Sequence, residues 1–333
     1  MNKISPFMRR CLFLLLFALV VTSDSTAQEF GPRIVFASNR DGNWDIYSMD
    51  VNGDNLLQLT DHPASDKYPA CSPDGRRIAF TSDRGVTDDL YVMDSDGKNV
   101  VRLTHDDFFE TGASWSPDGT KIAFASFRIV VGNTEIYVMD RDGNNAMNLT
   151  KHKWHDVSPS WSPDGSKMAF VSFRDGGFNT PHHIFVMNAD GTGRRNLTAD
   201  TILRFNSAPT WSPDGHRIAF NSLRHFFPAP SRNDVFVITA DGKELEQLTD
   251  GPSSSRSPVY SPDGTKIAYV SRRGGDSNVI LMDANGNNRV KLTKTAPGID
   301  NEDPSWLHGG LAVNPNAKLP VSWGLLKRRD NSW

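Results

Sequence analysis

Residues 115–126 read WSPDGTKIAFAS, and four near-copies of this stretch recur along the 333-residue chain. The copies are CSPDGRRIAFTS from Cys71, WSPDGSKMAFVS from Trp161, WSPDGHRIAFNS from Trp211 and YSPDGTKIAYVS from Tyr260. Each copy predicts the end of one strand, a tight turn and a second strand, because Asp-Gly favours tight turns in which glycine accepts a positive φ. Five copies of one hairpin indicate a repeat protein.

Each hairpin is followed by a third apolar segment of the type D-I-Y-V-M-D and by a short segment ending in Leu-Thr. One repeat therefore predicts a four-stranded sheet. The second strand is apolar on both faces, as Ile122, Ala123 and Phe124 show, so neighbouring sheets are expected to stack and bury it. No segment after residue 27 keeps a helical period over three turns, and the predicted fold is all-β.

The number of repeats predicts the architecture. Second strands begin at Ile34, Ile78, Ile122, Met168, Ile218 and Ile267. First strands end at Cys71, Trp115, Trp161, Trp211, Tyr260 and Trp306. The two series are out of step by one strand, so the first strand ending at Trp306 is expected to complete the sheet that begins near Ile34. This arrangement predicts a six-bladed β-propeller over residues 28–307, closed by a C-terminal inner strand.

The motif W-S-P-D-G-x-K-I-A-F, combined with D-I-Y-V-M-D-x-D-G, resembles the repeat of TolB-type (WD40-like, PD40) propellers over residues 30–307. The resemblance implies a binding role in the periplasm, where TolB is a partner of the peptidoglycan-associated lipoprotein. TolB carries an α/β domain ahead of its propeller, whereas the repeats here are expected to stand alone. Similar repeats occur in prolyl-oligopeptidase-type peptidases and oligogalacturonate lyases, so the repeat alone leaves the function open.

The two ends of the chain are expected to lie outside the propeller. Residues 1–27 combine a basic start, the apolar run CLFLLLFALVV and small residues at Ser25 and Ala27, which predicts a secretory signal peptide cleaved after Ala27. The mature protein is then periplasmic or secreted, with no membrane insertion. Residues 308–333 form a tail with no predicted role. Cys71 replaces the Trp or Tyr of the other repeats, which indicates a packing role rather than a reactive thiol.

Charge and missing motifs narrow the function classes. The formal net charge is −3, which disfavours nucleic acid and anionic membranes as partners. No G-x-S-x-G, Walker or dinucleotide-binding motif is present, which disfavours hydrolases and nucleotide-dependent enzymes. The first hypothesis is a monomeric, non-catalytic scaffold that binds a protein or peptide and needs no cofactor. The alternative is a carbohydrate-active enzyme resembling oligogalacturonate lyase and using a divalent cation.

The loops predict which face carries the function. The step from second to third strand varies from 11 to 16 residues, and the connection into each first strand also varies, whereas the other turns keep one length. Both variable connections emerge on the same side of the disc, and function more often lies on variable loops held by a rigid scaffold. This variable face carries Phe178, Phe226 and Phe227, which form either an aromatic binding patch or rings buried beneath the loops.

Polar residues recur five positions before the end of each first strand, at Asp66, Glu110, Asp156, Asn206, Ser255 and Asn301. We expect them where the chain enters the central channel, with the carboxylates forming an acidic rim that attracts cationic peptide groups. Trp154 and His155 lie in the same connections and complete the predicted binding set. The alternative is a metal site, for which His62, His152, His155 and Asp156 are the candidates.

An arginine follows each second strand, at Arg40, Arg84, Arg128, Arg174, Arg224 and Arg273. Several of these positions are expected to face an acid at the start of the third strand, at Asp45, Asp89, Glu135 or Asp234. The pattern predicts a repeated ion pair within each blade, contributing little net stability where it is exposed.

Overall fold

A computed structural model describes residues 31–128, 132–174, 181–226 and 229–308, with residues 128, 224–226 and 229–231 described by backbone alone. In this part of the chain every regular element is a β-strand. No helix there is long and apolar enough to cross a membrane. The predicted signal peptide, Phe178, Phe227 and the tail after His308 lie outside the described residues.

The described strands form six four-stranded sheets, here numbered as blades 1 to 6. Blade 1 contains β1 (Arg33–Ser38), β2 (Asp45–Asp50) and β3 (Leu57–Gln58). Blade 2 contains β4 (Asp66–Cys71), β5 (Arg77–Ser82), β6 (Asp89–Asp94) and β7 (Val101–Arg102). Blade 3 contains β8 (Phe109–Trp115), β9 (Lys121–Arg128), β10 (Asn133–Asp140) and β11 (Met147–Asn148).

The second half of the chain repeats this plan. Blade 4 contains β12 (Asp156–Trp161), β13 (Lys167–Ser172), β14 (His183–Asn188) and β15 (Arg195–Asn196). Blade 5 contains β16 (Asn206–Trp211), β17 (Arg217–Phe226), β18 (Ala229–Thr239) and β19 (Leu245–Gln247). Blade 6 contains β20 (Ser254–Tyr260), β21 (Lys266–Arg273), β22 (Asp276–Asp283) and β23 (Val290–Lys291), and β24 (Asn301–Leu307) follows it.

Strand β24 closes the ring. It pairs antiparallel with β1, placing Trp306 opposite Ile34, and becomes the inner strand of blade 1. The inner strands of consecutive blades contact one another all round, including β24 with β4 and β20 with β24. The prediction of a six-bladed β-propeller with a C-terminal closing strand is confirmed.

The core lies between the blades, as the two apolar faces of the second strands require. Six clusters of buried side chains each join two neighbouring blades. Phe36, Phe80, Phe124, Phe170 and Phe220 occupy the same place in five second strands and are essentially fully buried. Burying each such ring stabilises the fold by roughly 1.5–3 kcal/mol. Cys71 packs in the cluster between blades 1 and 2, where burial raises the pKa of its thiol to about 12.

The turns between third and fourth strands pack closely against the backbone of the neighbouring blade. Gly97 has a φ of +86°, and a Cβ there would lie 2.3 Å from the carbonyl oxygen of Leu59 in blade 1. Gly53 is in the same position against Leu292 of blade 6, at 2.6 Å. Any larger residue would meet backbone that cannot move without opening the ring, so both conformation and space require glycine here.

Candidate functional site

The six inner strands surround an open cavity of about 450 Å³ in the central channel. Every blade contributes to its lining. Asn221 and Asn233 of blade 5 also line the cavity, and they lie on β17 and β18, whose connecting loop belongs to the variable face. The lining of the cavity therefore includes residues from the strands that carry the variable loop of blade 5.

One left-handed residue in each inner strand shapes this cavity. These residues share a φ between 50° and 67° and are Tyr68, Gly112, Ser158, Ala208, Ser257 and Asp303. The pairing with the second strand shifts register across each of them, which makes each a β-bulge. Five of the six carry a Cβ, and this conformation costs roughly 1–2 kcal/mol for such residues. Bulges re-aim side chains next to functional sites, and all six line the channel cavity.

Blades 6, 1 and 2 form a charged wall of the channel, defined by the lining residues Arg256, Asp303 and Tyr68. Glu302 and Lys67 are the charged residues next to Asp303 and Tyr68 in the chain. The Arg256 guanidinium donates two hydrogen bonds to the Glu302 carboxylate, one of them from Nε at 3.0 Å. Lys67 lies over the indole of Trp44, 4.8 Å from its centroid. The Tyr68 side chain is 44% exposed and available to an incoming chain.

Asp303 is the acid of the charged wall that lines the cavity. Burial, and to a lesser extent the neighbouring Glu302, raise the pKa of Asp303 to about 7 against the opposing effect of Arg256 and Lys67. The Ser257 hydroxyl lies 3.5 Å from its Oδ1. Near neutral pH this carboxyl is thus poised between its acid form and its anion, and a cationic group entering the channel would favour the anion.

Blades 3, 4 and 5 form the small wall, which the same bulges build from different side chains. Gly112, Ala113, Ser158, Ser207 and Ala208 line it. These five residues are glycine, alanine and serine, so their side chains are short and uncharged. An extended segment entering the channel meets charged groups on one wall, and short side chains with the Asn221 and Asn233 amides on the other.

The predicted acidic rim is corrected by the structure. Asp66, Glu110, Asp156, Asn206 and Asn301 have no exposed surface, and Ser255 is also buried. These positions begin the inner strands and point into the blade, where each lies opposite the serine that ends its second-strand pairing. Their side chains fasten the inner strand to its neighbour rather than facing the channel.

Ion pairs follow the same arrangement. Arg84 donates to both oxygens of Asp66 at 2.6 and 3.3 Å, and Arg174 donates to Asp156 at 2.7 Å. Arg40 donates to the Asn301 amide oxygen at 2.8 Å. The predicted pairing within each blade is therefore found for Arg84 and Arg174, but their partner is the inner-strand acid, because a buried carboxylate needs its counter-charge.

The acids of the third strands have other partners. Asp45 accepts a hydrogen bond from Thr60 at 3.0 Å and Asp89 accepts one from Thr104 at 3.2 Å. These threonines belong to the repeated Leu-Thr pair, which explains why it recurs. The side chains of Arg128 and Arg224 lie outside the described residues.

The candidate metal ligands are dispersed and engaged in local hydrogen bonds. His62 Nδ1 accepts from the Ala64 amide at 3.1 Å, His152 Nδ1 from the Trp154 amide at 3.3 Å, and His155 Nδ1 from the Thr134 amide at 3.0 Å. In the described ranges no three His, Cys, Asp or Glu side chains are grouped so as to hold a metal ion. The residues in place do not fit the divalent centre of the lyase hypothesis.

Aromatic rings do gather on the variable face, but through residues that the sequence analysis did not select. Phe127, His155, Phe173, His182 and Phe205 form a continuous series with centroids 4.5–6.4 Å apart. Burial lowers the pKa of His155 and lowers that of His182 to about 4, so both rings are neutral at physiological pH. Alternating Phe and His across three blades is the signal that could have identified this series.

Of the aromatic residues that the sequence analysis predicted for binding, only Trp154 has a described side chain. Phe226 is described by its backbone alone, and Phe178 and Phe227 lie outside the described residues. Trp154 is half-buried, with the Lys153 ammonium 5.3 Å from its ring centroid. A binding role for these four residues stays a prediction.

The protein is therefore a closed six-bladed β-propeller with an open central cavity. A family model described as the TolB beta propeller domain matches residues 26–129, 109–204 and 130–314. The chain belongs to this TolB β-propeller family, and the predicted resemblance is confirmed.

Individual relatives agree with the family assignment. A TolB homologue from Chlorobaculum tepidum is 52% identical over 46 residues, which is 14% of this chain and only 11% of that protein. TolB from Acinetobacter baumannii matches with a TM-score of 0.71 and 23% identity over 84% of this chain and 67% of its own. An oligogalacturonate lyase in complex with manganese matches with a TM-score of 0.56 and 17% identity over 80% and 76%. The two structural similarities show the fold alone.

Proposed function

We propose that this chain is a non-catalytic binding protein of the cell envelope, which holds a protein or peptide partner at the channel mouth on its variable face. The observation that carries the proposal is the asymmetry of the channel, with the charged wall facing the small wall across about 450 Å³. Such a cavity suits an extended segment better than a small apolar ligand, because its specific groups lie along one side.

The chemistry of the charged wall indicates what the partner presents. Asp303 accepts a hydrogen bond or a positive charge, and Tyr68 offers an exposed ring with a hydroxyl group. Arg256 and Glu302 form an ion pair beside them. A partner segment carrying an ammonium or guanidinium group next to an apolar side chain matches this surface. TolB, the family's namesake, supports a partner in the envelope, and the predicted leader supports export.

The test is photo-crosslinking in the protein's own host. Benzoylphenylalanine in place of Tyr68 is expected to capture one envelope protein, whereas the same group in place of Val86, a 91% exposed residue between β5 and β6, serves as a control on the same face but outside the channel lining. A band at Tyr68 that disappears with Asp303→Ala supports the proposal. Capture at Val86 alone, or at neither position, contradicts it.

A further inference from the structure

The C-terminal segment of the chain carries chemistry that complements the channel lining. Residues 321–329 read VSWGLLKRR, an apolar stretch around Trp323 followed by three consecutive basic residues. Residues 309–333 as a whole contain four basic residues and one acid, although the chain has a formal net charge of −3. Such a segment suits a site that combines an apolar lining with an acid that has no counter-charge.

A ring of prolines provides the apolar part of the channel lining. In five blades a proline directly follows the left-handed residue of the inner strand, and blade 3 has an alanine there. All six residues line the cavity, namely Pro69, Ala113, Pro159, Pro209, Pro258 and Pro304. Proline has no N–H group, so this layer of the wall presents ring carbons instead of backbone donors. Apolar side chains of an inserted segment can pack on it without burying an unpaired donor.

Asp303 provides the acid without a counter-charge. Among the described residues it forms no ion pair, and its Oδ1 has the Ser257 hydroxyl at 3.5 Å, which is long for a hydrogen bond. The Arg256 guanidinium is already paired with Glu302, and the Lys67 ammonium lies over an indole ring. A basic side chain entering the cavity would therefore be a direct partner for the Asp303 carboxylate.

The last described strand brings this segment to the channel. β24 is an inner strand and lines the cavity through Asp303 and Pro304. The chain then packs against the SPDG turn of blade 2, where a Cβ on Gly75 would lie 2.5 Å from the His308 carbonyl oxygen. Fourteen residues separate His308 from Trp323 and span up to about 50 Å when extended, whereas the seven residues of β24 span about 23 Å. The segment is thus long enough to turn back to the cavity that β24 lines.

We infer that residues 321–329 of this chain bind in the channel cavity, with Trp323 and the leucines after it on the proline ring and a basic residue of 327–329 at Asp303. The cavity of about 450 Å³ holds a few residues of the segment, since pockets of about 300–1,000 Å³ hold drug-sized ligands. Attachment to the same chain gives the segment an effective concentration on the order of millimolar. The inference rests on the proposed binding role of the channel, because a partner must displace the segment before it binds.

Photo-crosslinking of the purified full chain tests the inference without a partner. Benzoylphenylalanine in place of Tyr68 is expected to crosslink to residues 319–331 of the same molecule, as mass spectrometry of the digest would show, whereas in place of Val86 it is not. Mixing isotope-labelled and unlabelled chains distinguishes crosslinks within one molecule from those between two. Trp323→Ala combined with Arg328→Glu is expected to lower the yield about tenfold. Trp333→Ala, the matched change outside the segment, is expected to leave it unchanged.

A peptide titration gives a change of the opposite sign. A synthetic peptide of residues 319–331 is expected to bind the Trp323→Ala, Arg328→Glu chain about tenfold more tightly than the unchanged chain, because the altered segment no longer competes for the cavity. Adding Asp303→Asn to that chain is expected to remove most of this binding. Equal affinity for the two chains overturns the inference, as does a Tyr68 crosslink that reaches other residues or none.

This inference and the proposed function fail separately. A crosslink to the segment in the purified chain, without capture of a partner in the host, would contradict the proposed function and support the inference. Capture of a partner in the host, with no crosslink to the segment in the purified chain, would overturn the inference alone.

Discussion

The charged and small walls of the channel share one backbone and differ in their side chains. Blades 6, 1 and 2 place Ser257, Asp303 and Tyr68 at their bulges, whereas blades 3, 4 and 5 place Gly112, Ser158 and Ala208 at the same positions. The repeat thus supplies six equivalent backbone positions, and the specificity of the channel arises from which side chains occupy them. Symmetry of the scaffold does not imply symmetry of the site.

The largest expected difference between the walls follows from Arg256→Ala. The substitution leaves Glu302 half-buried without its counter-charge, and we expect it to lower the free energy of unfolding by about 2 kcal/mol. Ser207→Ala on the small wall is the matched control and should change it by less than about 0.5 kcal/mol. Urea unfolding measures both. Equal losses would show that the charged wall is not a coupled unit.

The second expected difference between the two walls is the pH dependence of stability. Because the pKa of Asp303 is raised from 3.8 to about 7, the folded state binds its proton more tightly than the unfolded state does. Stability is therefore expected to fall as pH rises from about 4 to about 7 and to stay lower above that. Asp303→Asn should flatten this part of the curve and raise the melting temperature at pH 8, as scanning calorimetry would show. If the slope of stability against pH is unchanged in Asp303→Asn, Asp303 is not the source of the pH dependence.

We expect glycine substitution at the bulges to have the same effect on stability in both walls, and this effect to be smaller than those above. Glycine adopts a positive φ without strain, so Ala208→Gly and Ser257→Gly are each expected to stabilise the fold by about 0.5–1 kcal/mol despite the greater freedom of the unfolded chain. Chemical unfolding provides the measurement. A gain on one wall and a loss on the other would mean that the backbones are not equivalent.

Metal removal is expected to have the smallest effect. The candidate histidines accept hydrogen bonds from nearby amides, so a chelator should leave the melting temperature unchanged, and manganese or calcium added back should not raise it. A bound ion would raise the midpoint by mass action. A reversible shift, followed by cleavage of uronate oligomers, would favour the lyase alternative.

The blades and their closure were predictable because they follow from local chemistry. Asp-Gly turns, second strands apolar on both faces and the unpaired DPSW segment are each visible in the sequence and together require a ring. The channel lining was not predictable in this way. Counting back five positions from Trp161 assumes a regular strand, and the bulge at Ser158 inserts a residue that no local pattern reveals, since serine, alanine and tyrosine rarely adopt a left-handed conformation.

The indole of Trp161 shows a second limit of the sequence. Trp115, Trp161 and Trp211 stand in the same WSPDG motif, yet only Trp161 lacks an acceptor for its indole in the described part of the chain. The difference depends on the packing between blades 3 and 4, which combines residues distant in sequence. Repeat motifs predict what the copies share, whereas the individual features of a repeat protein arise at the contacts between copies.

The pairing of β24 with β1 has a consequence for how the molecule forms. The two strands that complete blade 1 are separated by nearly the whole propeller in sequence, so the ring closes only after the last blade has been synthesised. Until then the nascent chain exposes an unpaired strand edge at β1, and such long-range closure is slow. A protein built this way needs protection of its first blade during the interval before its last strand arrives.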